Sequence, residues 1–143
     1  MESRDRRPLG VTAFFGLLGE QFVQGRLEEM ASHWAFPCPM EVDGQLVVMR
    51  SPEVFVTFLA ERRRAALSRG LTAMMPRISA IEMPRKGRFR VWLRWVFHYG
   101  SQADEEEDHG MVYFMAAGPD GRLTIEMMDV VHIPVSRAAA QSA

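Results

Sequence analysis

The segment from Arg88 to Tyr99 constrains the fold most, because its side chains alternate without interruption. One row is apolar or aromatic and consists of Phe89, Val91, Leu93, Trp95, Phe97 and Tyr99. The opposite row carries the charge and consists of Arg88, Arg90, Trp92, Arg94, Val96 and His98. A period of two is typical of a β-strand with one face on a core. We therefore predict a long strand with its apolar row against helices and its arginine row outside.

Three helices are predicted before this strand. The first carries an apolar stripe at helical spacing, made of Val11, Phe14, Phe15, Leu18 and Phe22. It is predicted to end at Gly25, and a short second helix follows from Leu27 to Trp34. Ser51 and Pro52 begin the third helix, which runs to about Arg69 and ends at Gly70.

The other segments predict strands. Residues 40–49 form a hairpin that turns at Asp43-Gly44, and residues 71–83 form a strand broken at Pro76. The acidic run 104–108 is predicted to be a solvated connection, and strands 111–117 and 122–133 follow it. Helices followed by an antiparallel meander predict an α+β domain with the helices on one sheet face. The expected domain covers residues 9–133, between a flexible arm (1–8) and a flexible tail (134–143).

Composition narrows the class of protein. A chain of 143 residues can bury roughly two-thirds of its unfolded surface, so it needs no metal or disulfide to be stable. The single cysteine, Cys38, fits a reducing compartment and is interpreted as buried and inert. No stretch approaches the roughly 18 apolar residues of a membrane span. We therefore expect a soluble cytoplasmic protein without membrane contact. The net charge of −1 argues against nucleic-acid binding through the arginine row and Trp92.

Three stretches carry a family resemblance: FFGLLGEQFVQGRLEEMASHWAFPCPMEV, SPEVFVTFLAERRRAALSRGL and MVYFMAAGPDGRLTIEMMDVV. Their order resembles the nuclear transport factor 2-like superfamily, which includes SnoaL-like polyketide cyclases, ketosteroid isomerases and scytalone dehydratase. The resemblance covers about residues 9–133. It implies a strongly curved, cone-shaped antiparallel sheet, a cystatin-like α+β roll with a pocket at its wide end, and dimers through the sheet. The superfamily holds enzymes and pure binding modules, so the activity stays open.

Asp129 is the first candidate for chemistry. It falls on the same strand phase as Leu123, Ile125, Met127 and Val131. If that row faces the pocket, desolvation would raise the pKa of Asp129 and suit it to act as a general acid or base. SnoaL-like cyclases are similar in using an acidic residue late in the chain. The alternatives are a bulge that puts Asp129 at the strand end, or an ion pair with an arginine.

Arg62 is the partner that helical spacing offers, since it lies in the middle of the third helix's apolar stripe. It could anchor an anionic or enolate group of a ligand, or pair with Asp129. Tyr99, Tyr113 and His33 could polarise a ligand or act as a base, or be ordinary core and flanking residues. The other predicted pocket-lining residues are aromatic or flexible and apolar: Phe15, Trp34, Phe58, Trp95 and Met127.

Two chemical patterns are missing or incomplete in the sequence. The histidines and the cysteine lack metal-ligand spacing, so neither a metal nor a cofactor is expected. Ketosteroid isomerases resemble one another in a tyrosine on the first helix, where this chain has only phenylalanines, although Glu41 or Asp43 could stand near the position of their basic aspartate. Methionines predicted in the core indicate an adaptable cavity or ordinary core filling: Met74, Met75, Met111, Met115 and Met127.

The outer face of the sheet is predicted to be apolar at Trp92, Val96, Phe114, Met128 and Val130. Such a patch favours a twofold homodimer, with the arginine row at its rim and Glu82 or Glu126 of the other copy as partners. Two functions remain open. The first is binding of a hydrophobic small molecule, with or without acid–base chemistry of the isomerase, cyclase or dehydratase type on a cyclic or conjugated carbonyl compound. The second is a non-catalytic dimeric binding or interaction module.

Overall fold

The structure is a computed structural model that describes residues 9–100, 102–107 and 109–131. The predicted arm at 1–8 and the predicted tail at 134–143 lie outside the described residues. The helices are α1 (Val11–Gln24), α2 (Leu27–Ala31) and α3 (Pro52–Ser68). The strands are β1 (Cys38–Val42), β2 (Gln45–Met49), β3 (Ala73–Ile81), β4 (Arg88–His98), β5 (Glu105–Glu106), β6 (Gly110–Ala117) and β7 (Leu123–Val131).

The described strands form one open sheet in the order β2-β1-β7-β6-β4-β3, and β5 pairs with β4 beyond the end of β6. These pairings are antiparallel except that of β1 with β7, which is parallel and joins Met40 to Met128. The helices cover one face of this sheet, which we call the helix face, and we call the other the open face. The α+β class predicted from the sequence is therefore confirmed.

Local sequence explains where the helices begin and end. The Ser51 side chain accepts a hydrogen bond from the Val54 amide at 3.3 Å, and Pro52 occupies the first turn of α3. Helix α1 ends at Gly25, whose φ of 78° is left-handed, and the Arg63 side chain donates to the nearby carbonyl oxygens of Phe22 and Val23. These contacts fix both helices against the core.

Strand β4 has the predicted parity. Its row of Phe89, Val91, Leu93 and Trp95 is buried on the helix face, and Arg88 and Arg90 are exposed on the open face. The predicted break at Pro76 is wrong, because β3 runs through that residue. As the edge strand, β3 tolerates a proline that has no amide hydrogen, and its irregularity lies instead between Ile78 and Ala80.

Strand β7 departs from the predicted alternation, because the register shifts between its pairs Phe114–Met127 and Met115–Ile125. Glu126 is thus an extra residue, and two residues of β7 oppose one of β6. Beyond this bulge, Met128 pairs with the buried Tyr113 and belongs to the helix face, whereas Asp129 pairs with Val112 on the open face. The predicted inward row through Met127 and Asp129 is therefore wrong.

The bulge also corrects the predicted outer patch. Met128 and Val130 lie on the helix face, and Met127, beside Phe114, takes the place predicted for Met128. Among the predicted core methionines, Met75 is exposed, whereas Met111 and Met115 are buried. Every residue beyond the bulge lies on the face opposite to the predicted one, so the extra glutamate changes five predicted positions, Met127 to Val131.

Candidate functional site

An open pocket of about 610 Å³ lies between α3 and the helix face of the sheet. Its size is within the range of small-molecule sites. The wall is largely apolar and includes Trp34, Met40, Phe55, Phe58, Leu59, Trp95, Met111 and Met128. Several polar groups also reach it, and their positions determine what chemistry the pocket can support.

Three of the predicted phenylalanines and tryptophans line this pocket. The Trp34 ring packs on Phe55 with 4.8 Å between centroids, and its Nε1 donates to the Met128 sulfur at 3.1 Å. Phe58 and Trp95 also contribute to the wall. Phe15 is fully buried behind it, 4.8 Å from the Tyr113 ring centroid, so it supports the pocket without lining it.

Tyr99 lines the pocket beside Arg69, a cation that the sequence pattern did not indicate. The Arg69 guanidinium lies 4.3 Å above the Tyr99 ring and donates to its hydroxyl oxygen at 3.3 Å. The same guanidinium holds both carboxylate oxygens of Glu105, at 2.8 and 3.2 Å. Because the Tyr99 oxygen accepts this bond, its own proton remains available to a ligand.

Tyr113 lies deeper, and its hydroxyl oxygen accepts a hydrogen bond from Trp95 Nε1 at 2.9 Å. Burial raises the pKa of Tyr113, and the charge of Glu107 raises it further. The phenol is therefore protonated at any physiological pH, with its O–H free to be the donor in a bond to a ligand. A donor fixed in an apolar wall is the kind of group that stabilises an oxyanion.

Glu107 is one of the carboxyl groups that the fold brings to the pocket, along with Glu41 and Asp43. Its Oε1 accepts a hydrogen bond from the Trp95 backbone amide at 3.0 Å, and its own amide donates to the Trp95 carbonyl at 3.1 Å. Burial raises the pKa of Glu107, against the lowering effects of the Trp95 amide and of the charges of His109, Arg94 and Arg62. A carboxyl with a raised pKa in an apolar pocket is suited to acid–base chemistry.

Arg62 lies at the mouth of the pocket. Its guanidinium stacks 4.9 Å from the Phe58 ring centroid and donates to Asp43 at 3.3 Å. The alternative pairing with Asp129 does not form, because Asp129 is on the open face and accepts a hydrogen bond from the Val130 amide at 2.8 Å. The pair of Arg62 with Asp43 is largely exposed, so a ligand anion could replace Asp43 at little cost.

His33 and Met127, also predicted at the site, do not line the pocket. The His33 ring packs edge-on against Phe14 with 5.3 Å between centroids. Its pKa is lowered by burial and by the charge of Arg122. Met127 is on the open face, because the bulge at Glu126 reverses the alternation of β7. The predicted roles of Asp129, His33 and Met127 in the pocket therefore have no geometric support.

Glu107 was missed because the run from Asp104 to Asp108 looks uniformly hydrophilic and predicts a solvated loop. In the structure, Glu105 and Glu106 of this run pair with β4, and Glu107 turns into the pocket. Alternation of apolar and polar residues would have indicated which side chain points inward, but a run made only of acidic residues cannot show it. His109, which follows this run, also lines the pocket.

The structure gives no metal centre in the part of the chain that it describes, since no three His, Cys, Asp or Glu side chains there are placed to hold an ion. Cys38 is buried, and burial raises the pKa of its thiol to about 11. None of the described helices has the length and apolar character needed to cross a bilayer.

Similarity to solved structures places the fold. A nuclear transport factor 2-like protein with a cystatin-like fold from Novosphingobium aromaticivorans superposes with a TM-score of 0.66 at 12% identity, over 97% of this chain and 88% of that one. ActVI-ORFA from Streptomyces coelicolor gives a TM-score of 0.63 at 12% identity, over 85% and 91% of the two chains. A scytalone dehydratase-like protein from N. aromaticivorans gives 0.57 at 10% identity, over 92% and 89%.

These likenesses show that the chain has the nuclear transport factor 2-like, cystatin-like α+β fold, in agreement with the resemblance noted in its sequence. No protein-family model matches the chain, and no curated protein matches its sequence. At such low identities the likeness defines the fold alone, so function must be argued from the pocket.

Proposed function

We propose that the pocket binds a small, largely apolar carbonyl compound, cyclic or conjugated, and that Glu107 acts on it as a general acid or base. The reaction is of the isomerase, cyclase or dehydratase type. The observation that carries this proposal is that Glu107 and Tyr113 line the same apolar pocket. Burial raises the pKa of Glu107, and Tyr113 stays protonated. Both groups are fixed by Trp95, through its backbone amide and its indole.

The two groups divide the chemistry between them. Ionised Glu107 removes a proton from the carbon beside the carbonyl, and the electron pair moves onto the carbonyl oxygen. The Tyr113 hydroxyl donates to that developing oxyanion. Return of the proton from Glu107 to another carbon completes an isomerisation, and loss of a β-hydroxyl as water completes a dehydration. A raised carboxyl pKa brings the base closer to neutral pH, where proton transfer is most efficient.

Binding is tested with the apolar fluorescent dye ANS. Ala65 is exposed at the pocket mouth, so Ala65→Trp is expected to fill the entrance and weaken dye binding by about tenfold or more. Thr57→Trp adds the same bulk to an exposed position of α3 away from the pocket and should leave binding unchanged. Equal affinity of all three proteins would contradict a ligand site in this pocket.

Chemistry is tested by exchange of the α-hydrogens of 2-cyclohexen-1-one in D₂O, followed by NMR. The protein should accelerate exchange, and Glu107→Gln should abolish that acceleration because an amide cannot accept the proton. Asp129→Asn, on the open face, should retain it. Loss of exchange in Asp129→Asn but not in Glu107→Gln would refute the assignment.

The second candidate is a dimeric binding or interaction module without catalysis. It is supported by half-buried apolar side chains on the open face: Trp92, Val96, Phe114 and Met127. The arginines around them are paired within the chain, Arg88 with Glu126 and Arg90 with Glu82, so they need no partner from a second copy. Light scattering should give twice the chain mass for the protein and the chain mass for Phe114→Lys. A monomeric wild type at micromolar concentration would refute the homodimer.

A further inference from the structure

Three consecutive glutamates, Glu105 to Glu107, are each held by an arginine of a different element, and we call them the acidic segment. Arg69, after α3, binds the Glu105 carboxylate at 2.8 Å. Arg77 of β3 binds the Glu106 carboxylate at 3.0 Å. Arg94 of β4 donates to the backbone carbonyl of Glu107 at 2.7 Å.

The acidic segment alternates between the two faces of the sheet. Glu105 pairs with Phe97 and reaches Arg69 at the pocket mouth, whereas Glu106 pairs with Val96 and reaches Arg77 on the open face. Glu107 returns to the helix face and enters the pocket. A slip by one residue would put Glu106 in the pocket and Glu107 outside. Strand β5 has only two pairs with β4, so its backbone specifies this register weakly.

Side chains on the open face add contacts that hold the segment against β4. Arg77 and Arg94 are directly opposite each other in the β3–β4 pair, where two like charges destabilise a sheet. Glu106 lies within reach of both, 3.0 Å from Arg77 and 3.8 Å from Arg94. Arg94 is also the more buried of the two, with 25% of its side chain exposed. The Arg94 guanidinium thus contacts the acidic segment twice, at the Glu106 carboxylate and at the Glu107 backbone carbonyl.

We propose that Arg94, aided by Arg77, is a positioning residue: it anchors the acidic segment against β4 and thereby holds the Glu107 carboxyl in the pocket. The inference rests on the proposed function for its importance, but it concerns the placement of Glu107 and is tested without a ligand. The charged and titratable groups that face Glu107 are His109, Arg94, Arg62 and Tyr113.

The test is the titration of the Glu107 carboxyl by ¹³C NMR, with the resonance assigned by its loss in Glu107→Gln. The two explanations of Arg94 predict opposite signs. If Arg94 were only a nearby charge, Arg94→Met would remove a lowering effect, and the pKa of Glu107 would rise further. If Arg94 positions the segment, Glu107 leaves the pocket in Arg94→Met, burial no longer acts on it, and its pKa falls toward the ordinary value.

Amide hydrogen exchange gives a second readout. The Glu107 amide donates a hydrogen bond to the Trp95 carbonyl. In Arg94→Met this amide should exchange about fivefold to tenfold faster, because the protection given by about one hydrogen bond is lost. The matched control is Arg88→Met, which removes an ion pair from the same face of the same strand at a distance from the segment. Both readouts should be unchanged in it.

If Arg94→Met does not fold, Glu106→Gln provides the test. It removes the ion pairs of Glu106 with Arg77 and Arg94 on the open face, and Glu106 is exposed. It should lower the pKa of Glu107 and speed exchange in the same way. A raised or unchanged pKa in both variants overturns the proposal. If the pKa falls but the wild-type protein exchanges no enone hydrogens, Arg94 still positions Glu107, and only the proposed chemistry fails.

Discussion

Strands β4 and β7 look alike in sequence but behave differently. Both alternate apolar and polar side chains, yet the alternation of β4 matches its burial from Phe89 to Trp95, whereas that of β7 changes phase at Glu126. Strand β4 pairs with β3 and β6 along much of its length, and both neighbours share its core face. Strand β7 carries the extra residue of a bulge, so its pattern no longer reports which face is inside.

The largest effect that this comparison predicts is on the buried row of β4. Leu93 is 1% exposed, so Leu93→Ala should lower the free energy of unfolding by about 3 kcal/mol through lost burial and a cavity. The change is measured by urea unfolding. Arg90 lies on the opposite face of the same strand, so Arg90→Ala should leave the urea midpoint of unfolding nearly unchanged. Equal losses in the two variants would show that the parity of β4 is misassigned.

The next effect tests the phase of β7 after the bulge. Met128→Lys puts an ammonium group into the pocket and removes the sulfur that Trp34 contacts, so we expect a loss of about 2 kcal/mol of stability. ANS affinity should fall with it by about tenfold or more. Met127 lies on the open face, so Met127→Lys should leave dye binding within about twofold of wild type. The reverse ranking would mean that β7 has no phase change.

The smallest effect concerns two carboxyl groups: that of Asp129, which the sequence pattern favoured, and that of Glu107, which lies in the pocket. Burial raises the folded-state pKa of Glu107, so the folded state holds this proton more tightly than the unfolded state does. Its contribution to stability is therefore complete below the unfolded pKa and is lost as pH rises through the folded pKa. Glu107→Gln should remove this fall, measured as the unfolding midpoint against pH.

Asp129→Asn is the control for that measurement, because its side chain faces away from the pocket and bonds only its neighbour's amide among the described residues. Its pH profile should superimpose on that of the wild type. A flattened profile in Asp129→Asn with an unchanged one in Glu107→Gln would restore Asp129 as the buried carboxyl.

Much of the fold could be predicted because the relevant signals are local. The Ser51 cap, the turn at Asp43-Gly44 and the left-handed Gly25 each follow from neighbouring residues, and all are present. The site could be predicted only in part. Trp34, Phe58, Trp95, Tyr99 and Tyr113 lie on the pocket wall as their elements required. The acid–base candidate was misassigned, because that depended on how β7 and the acidic segment meet their neighbours.

The sequence by itself determined the phase of β4, the boundaries of α1 and α3, and the α+β order, since alternation and capping are properties of a few adjacent residues. Tertiary structure decided which carboxyl enters the pocket. A bulge exists only where two strands are compared, so nothing local in β7 marks Glu126 as the extra residue. The placement of Glu107 likewise depends on arginines 13 to 36 residues away in sequence from the glutamates they hold, and such contacts form only when the chain is folded.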